Sequence, residues 1–185
     1  LGDGTLTASS LPVVVRTAAN TPLGGVVAVA TGTVHACAVL TTGRVACWGD
    51  NAYGKLGDGT TTDHPFATLV PGLTKVTAIT AGTDHTCALR TDATVRCWGR
   101  NGAGRLGDGT TTTRKTPVAV SGLSNVTAIA AGGSHTCARL ATGAVKCWGA
   151  NSRGQMGNGQ TADAKVPVNT QISGVADLAA GSGHN

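Results

Sequence analysis

The feature that most constrains this chain is a period of about fifty residues. The stretch from His85 to Gly109 recurs from His35 to Gly59 and from His135 to Gly159, and a further copy begins at His184. A chain built this way buries its apolar surface between neighbouring units rather than inside one ball. Residues 1–185 are therefore read as a single repeat array. Its hairpin-plus-turn units are centred on 35–59, 85–109 and 135–159, with a truncated fourth repeat at 175–185.

The fold class follows from the order of segments inside one unit. Leu1, Leu56 and Leu106 each head a Leu-Gly-Asp-Gly turn, varied to Met156-Gly-Asn-Gly in the last copy. Such a run favours positive φ and side-chain-to-backbone hydrogen bonds, so it reads as a tight turn. A Thr-rich stretch and a proline follow (Pro12, Pro65, Pro117, Pro167), which fits an outer edge strand where a missing N–H costs no ladder bond. Next come small and β-branched residues ending in glycine: 27–32, 76–82, 126–132 and 175–181. The recurring His opens two further strands around a short turn. Four strand-sized segments per unit match one blade of a β-propeller. With 28 glycines and no long stretch of three- and four-residue apolar spacing, the chain is expected to be all-β, with about 3.7 repeats of blades of four antiparallel strands. The first unit carries extra residues through Thr17 to Pro22, read as a surface insertion. Both ends fall inside a motif, which suggests a longer parent chain or copies that complete one another edge to edge.

The six cysteines pair naturally as Cys37 with Cys47, Cys87 with Cys97, and Cys137 with Cys147, each pair symmetric about its hairpin turn. That register sets the two sulfurs opposite one another on one face, within bridging distance. A zinc site would want a tighter Cys spacing, and none occurs. Buried free thiols are the competing reading. The repetition of one spacing favours bridges, and bridges in turn point to an oxidising compartment, secreted or at the cell surface.

The other repeated residues read as structural. His35, His85, His135 and His184 are expected to cap strand ends by hydrogen-bonding backbone, since copies one unit apart cannot share an ion. Trp48, Trp98 and Trp148 are expected to pack between blades. Asp58, Asp108 and Asn158 belong to the turn, because one carboxylate per turn is too few for calcium. Lys55, Arg96, Arg105, Arg114, Lys115 and Lys146 are spread through the unit and read as solvated faces. The net charge of +5, with 12% charged residues and no basic cluster, gives no signature of nucleic-acid binding. No apolar run is long enough to span a bilayer. No reactive constellation breaks the repeat symmetry, so no enzyme activity, catalytic residue, metal or cofactor is expected.

At these residues the chain resembles the regulator of chromosome condensation repeat family, also called alpha-tubulin-suppressor-like repeats. The motif is carried by Gly82 to Leu89, Val95 to Asn101 and Gly104 to Gly109. The resemblance covers essentially the whole chain and implies four-stranded blades, commonly seven to a ring, so that the array would be a partial propeller or part of such a ring. The Cys-Trp-Gly sequence resembles bacterial secreted or surface members, and the exchange loop of the nuclear members is not recognisable.

The expected function is a non-catalytic extracellular interaction or scaffold module that binds a protein or glycan through the loops of one rim, without nucleic acid or membrane insertion. The alternatives are a structural subunit of a self-assembling surface fibre or sheath, with copies associating edge to edge, and a secreted enzyme inhibitor.

Overall fold

A computed structural model describes residues 1–19 and 21–184 of the chain. Asn20, inside the insertion, and Asn185, at the end of the truncated fourth repeat, lie outside the described residues.

Among the described residues, three four-stranded antiparallel sheets form, one per unit. The first holds β3 (Val26–Thr31), β4 (His35–Leu40), β5 (Val45–Gly49) and β6 (His64–Leu69), in that spatial order. The second holds β7 (Val76–Ala81), β8 (His85–Arg90), β9 (Val95–Gly99) and β10 (Arg114–Ala119). The third holds β11 (Val126–Ala131), β12 (His135–Leu140), β13 (Val145–Gly149) and β14 (Ala164–Asn169). The sheets are blades of an open propeller: β7 lies beside both β3 and β11. Pro65, Pro117 and Pro167 sit in the outermost strands β6, β10 and β14, as edge positions require.

The middle hairpin of each blade is buried on both sides, and strand alternation decides what each side carries. In the first blade Cys37, Val39, Val45 and Cys47 face forward and pack with Leu56 and Val70 against Ala88 and Trp98 of the second blade. Ala38, Ala46 and Trp48 face backward. The second blade repeats this, placing Cys87, Leu89, Val95 and Cys97 against Ala138 and Trp148 of the third. The registers set Cys37 opposite Cys47, Cys87 opposite Cys97 and Cys137 opposite Cys147, and the sulfurs are bonded in all three.

The insertion lies at the surface, where β1 (Arg16–Ala18) pairs with β2 (Thr21–Pro22). Val15 and Leu23 beside it pack on the backward face of the first blade, around Trp48. The stretch 175–181 forms no strand, although its residues resemble those of β3, β7 and β11. Each of those strands pairs with the hairpin strand that follows it, and among the described residues none follows 175–181 to pair with it.

Candidate interaction rim at the blade junctions

The joint between blades is built from the same few residues each time. In the first unit the loop after β5 begins at Asn51, fully buried, whose Oδ1 accepts the Leu56 N–H at 3.0 Å and whose Nδ2 donates to Asp58 at 3.1 Å. These bonds fold the loop into a knob whose outward group is the carbonyl of Lys55. That oxygen accepts two bonds from the second blade, from Trp98 Nε1 at 2.8 Å and from the Thr86 hydroxyl at 2.9 Å. The third blade grips the second in the same way: the Arg105 carbonyl accepts from Trp148 Nε1 at 2.9 Å and from Thr136 at 3.3 Å. The Gly57 and Gly107 backbones lie flat on the Trp98 and Trp148 rings, where an added Cβ would stand 2.7 and 2.9 Å from ring atoms. Trp98 and Trp148 are thus interblade anchors, whereas Trp48 meets Gly2 on the backward face of the first blade.

His35 and His85 complete the joint, with a different partner from the one expected. Each imidazole Nε2 meets a hydroxyl on the next blade, His35 with Thr86 at 2.9 Å and His85 with Thr136 at 2.8 Å, rather than a backbone group. Because each Thr hydroxyl donates its proton to the carbonyl of residue 55 or 105, it must accept from Nε2–H, which fixes the tautomer. Burial then pushes the imidazoles down, with the neighbouring cations Lys55 and Arg105 adding to it, to about 4 for His35 and about 3 for His85. His135 is fully buried at the equivalent place in the third blade, whereas His184 is exposed.

The glycine three residues before each His is required by this packing. A Cβ on Gly82 would lie 2.3 Å from His85 Cε1 and 2.5 Å from the Gly132 carbonyl of the next blade. Gly82→Ala should therefore cost roughly 2–3 kcal/mol in urea unfolding, because ring and backbone must both move. Gly102→Ala, where no atom lies within 4 Å, should be neutral or slightly stabilising.

Asp58 and Asp108 organise the turn. Burial acts to raise both carboxyls. Hydrogen bonds from the backbone and hydroxyl of Thr60 or Thr110, from Asn51 or Asn101, and from His64 or Arg114 outweigh it and hold them below the usual carboxylate range. Asn158 plays the same part without charge, accepting the Gln160 N–H at 3.1 Å. Among the described residues, no three His, Cys, Asp or Glu side chains gather to hold a metal ion.

The basic residues correct a second expectation. Arg96 and Lys146 are half-buried and Lys115 is exposed, but Lys55 and Arg105 are 2% and 6% exposed, so they are not solvated faces. Their stems are held in the knob, because the carbonyls of these same residues form the joint. Lys55 Nζ sits 2.5 Å from Asp50 and 3.0 Å from Asp84. Burial acts to lower the Lys55 ammonium, and the two carboxylates overcome it and raise it. Arg100 reaches Asp84 at 3.4 Å and stacks 4.9 Å above the Tyr53 ring. These groups line one rim, formed by the loops after the inner strands and the long loops after β5, β9 and β13. Sequence reasoning missed the role of Asn51, Asn101 and Asn151, all fully buried; their fixed place three residues after each Trp was the available signal.

Comparison with known proteins gives a consistent family. The profile described as the regulator of chromosome condensation (RCC1) repeat matches residues 42–89, 92–139 and 142–185, and a second profile of the same repeat matches 26–55, 76–105 and 126–155. The structure of human WBSCR16 is similar to this chain with a TM-score of 0.76 and 27% identity, covering 88% of this chain and 46% of that one. Prp20p from Saccharomyces cerevisiae, described with its binding to Gsp1p and histones, gives a TM-score of 0.72 at 23% identity, covering 86% and 42%. The E3 ubiquitin-protein ligase HERC2 of Homo sapiens is 50% identical over 48 residues, 26% of this chain and 1% of that protein. The chain therefore spans less than half the length of these relatives.

These findings overturn the extracellular placement. Prp20p and HERC2 are nuclear or cytoplasmic proteins, so the secreted or cell-surface location is contradicted, and with it the extracellular scaffold, the surface fibre or sheath and the secreted inhibitor. None of these relatives supports a bacterial secreted type. The step that failed ran from cysteine to compartment. The bridges themselves are present and all six cysteines are fully buried, so a bridged hairpin did not by itself fix the compartment.

Proposed function

This chain belongs to the regulator of chromosome condensation (RCC1) repeat family, and from that premise we propose that it is a non-catalytic, intracellular protein-interaction module. It works as one array over residues 1–185, and it presents to a protein partner the rim carrying 50–63, 82–84, 100–113 and 132–134. The partner class is protein, as for its relatives. Those relatives do not fix the partner's identity.

One observation carries this reading: the interior of the joint is copied from unit to unit, while the rim above it is not. His, Cys, Trp and Asn recur at every junction. Position 50 is Asp where its equivalents are Arg100 and Ala150, position 53 is Tyr where they are Ala103 and Arg153, and Asp84 becomes Ser134. A rigid frame with unit-specific chemistry along one edge is what selective binding through a preorganised surface needs. The disulfides and the His-Thr joints are assigned to holding that frame.

Hydroxyl-radical footprinting of the chain in nuclear and cytoplasmic extract tests this. Partner-dependent protection is expected at Tyr53 and along 100–113, and not in the opposite turns 41–44 and 91–94. Protection confined to those opposite turns, or absent everywhere, would refute the rim assignment.

A further inference from the structure

Two equivalent junctions along the rim are charged differently. Between the first and second blades, the buried Lys55 is neutralised by Asp50 and Asp84. Between the second and third, the buried cation is Arg105, and the repeat places Arg100 where Asp50 stood and Ser134 where Asp84 stood. Both carboxylates are gone, and one is replaced by a second guanidinium. Arg105 is 6% exposed, and its Nε is buried with no hydrogen-bond partner among the described residues. The nearby acids are already engaged. Asp84 serves Lys55 and Arg100, and Asp163 accepts the Asn151 N–H at 2.8 Å.

A guanidinium stays protonated even when buried, so this charge has been taken from water with no carboxylate paired to it, Asp84 and Asp163 acting on it only from a distance. Its planar fork of N–H donors matches a carboxylate. We infer that the junction between the second and third blades is a carboxylate-binding site, taking an Asp or Glu side chain of a protein partner at Arg105, with Arg100 and Ser134 beside it. This deepens the reading of the rim as a protein-docking surface and rests on it.

The sister junction supplies the template. There a carboxylate oxygen sits 3.0 Å from the cation of residue 55, so the frame accommodates that group at that place. Ser134 is smaller than the aspartate it replaces and leaves that volume to an incoming side chain. Arg100 is held on its far side by Tyr53 and Asp84, so less of its freedom is lost on binding. Arg100 also presses the Arg105 guanidinium below its ordinary value, after burial itself, and a carboxylate would relieve both effects. The net charge of +5 steers an acidic segment toward the chain.

Calorimetric titration of the whole chain with a blocked hexaglutamate peptide, and separately with inorganic phosphate, tests the site. The peptide should bind, and the double variant Arg100→Asp/Ser134→Asp, which restores the carboxylates seen around Lys55, should weaken it at least about tenfold while raising the melting temperature. Arg105→Gln should likewise lose the peptide, and Arg44→Gln, in an opposite turn, should keep it. Peptide binding that survives the double variant, or a response to phosphate alone, overturns the site. A rim that is protected by partners in extract but ignores hexaglutamate would sink this inference and leave the interaction module standing.

Discussion

Acidification from neutral pH to about 4.5 is expected to cost the folded chain about 2.5 kcal/mol at each of His35 and His85. Both imidazoles are held neutral in the fold, at about 4 and about 3 against an ordinary 6.5, because the joint between blades excludes water and faces each ring with a cation. The unfolded chain takes up these protons from about pH 6.5 downward, whereas the folded chain refuses them. The unfolded state therefore binds more protons through this window, and stability falls as pH falls. The contribution is fully present above pH 6.5, is exhausted near pH 4 for His35 and persists to near pH 3 for His85. The partners of each ring sit on two blades, so its protonation opens the joint rather than one strand. Urea unfolding at neutral pH and at about 4.5 checks this. His85→Gln should lower stability at neutral pH yet flatten the pH dependence by about half. An unchanged slope in that variant would remove His85 from the account. Measurements above pH 4.5 keep the carboxylates, whose values are lowered at Asp50, Asp58, Asp84 and Asp108, out of the window.

Reduction of the three hairpin bridges is expected to have a comparable or larger effect. Each bridge closes a sequence separation of 10 residues, for which chain entropy gives about 2.5–3 kcal/mol, so the three together approach the whole stability of an ordinary domain. The order of reduction follows from what covers each pair. Cys37–Cys47 is clamped by Ala88 and Trp98 of the next blade, and Cys87–Cys97 by Ala138 and Trp148. Cys137–Cys147 is covered by Met156, Val168 and Leu178 of its own unit and the segment after it. A reductant at neutral pH should open Cys137–Cys147 first and Cys87–Cys97 only as the blades separate. Timed alkylation with peptide mass spectrometry reads the order. Simultaneous loss of all three would show that the blade interfaces give no individual protection.

The hairpin around each cysteine pair was legible because its information is local. Alternation from Cys87 to Leu89 and from Val95 to Trp98 sets strand faces within a few residues, and the symmetric spacing sets the register. The Gly-Asp-Gly turn is equally local, since Asp58 bonds Thr60 and Asn51 within its own loop. The partner of the His ring was not legible. The residue it meets lies 51 positions away on another blade, and a hydroxyl there looks the same in sequence as any strand threonine. Lys55 and Arg105 misled for a related reason. In sequence they are single charges before a turn, and only the docking of Trp98 or Trp148 onto their carbonyls buries them.

The sequence alone determined the repeat, the four strands of each blade, the turn that ends it and the face on which the sulfurs meet, because each depends on neighbours within one unit. The tertiary structure decided which face of a blade meets which neighbour, which hydroxyl holds each imidazole, and that Lys55 has carboxylates in contact with it while Arg105 has none. Those outcomes depend on groups some fifty residues apart brought within hydrogen-bond reach, and a period fixes how often a residue recurs without fixing which side of the next unit it touches.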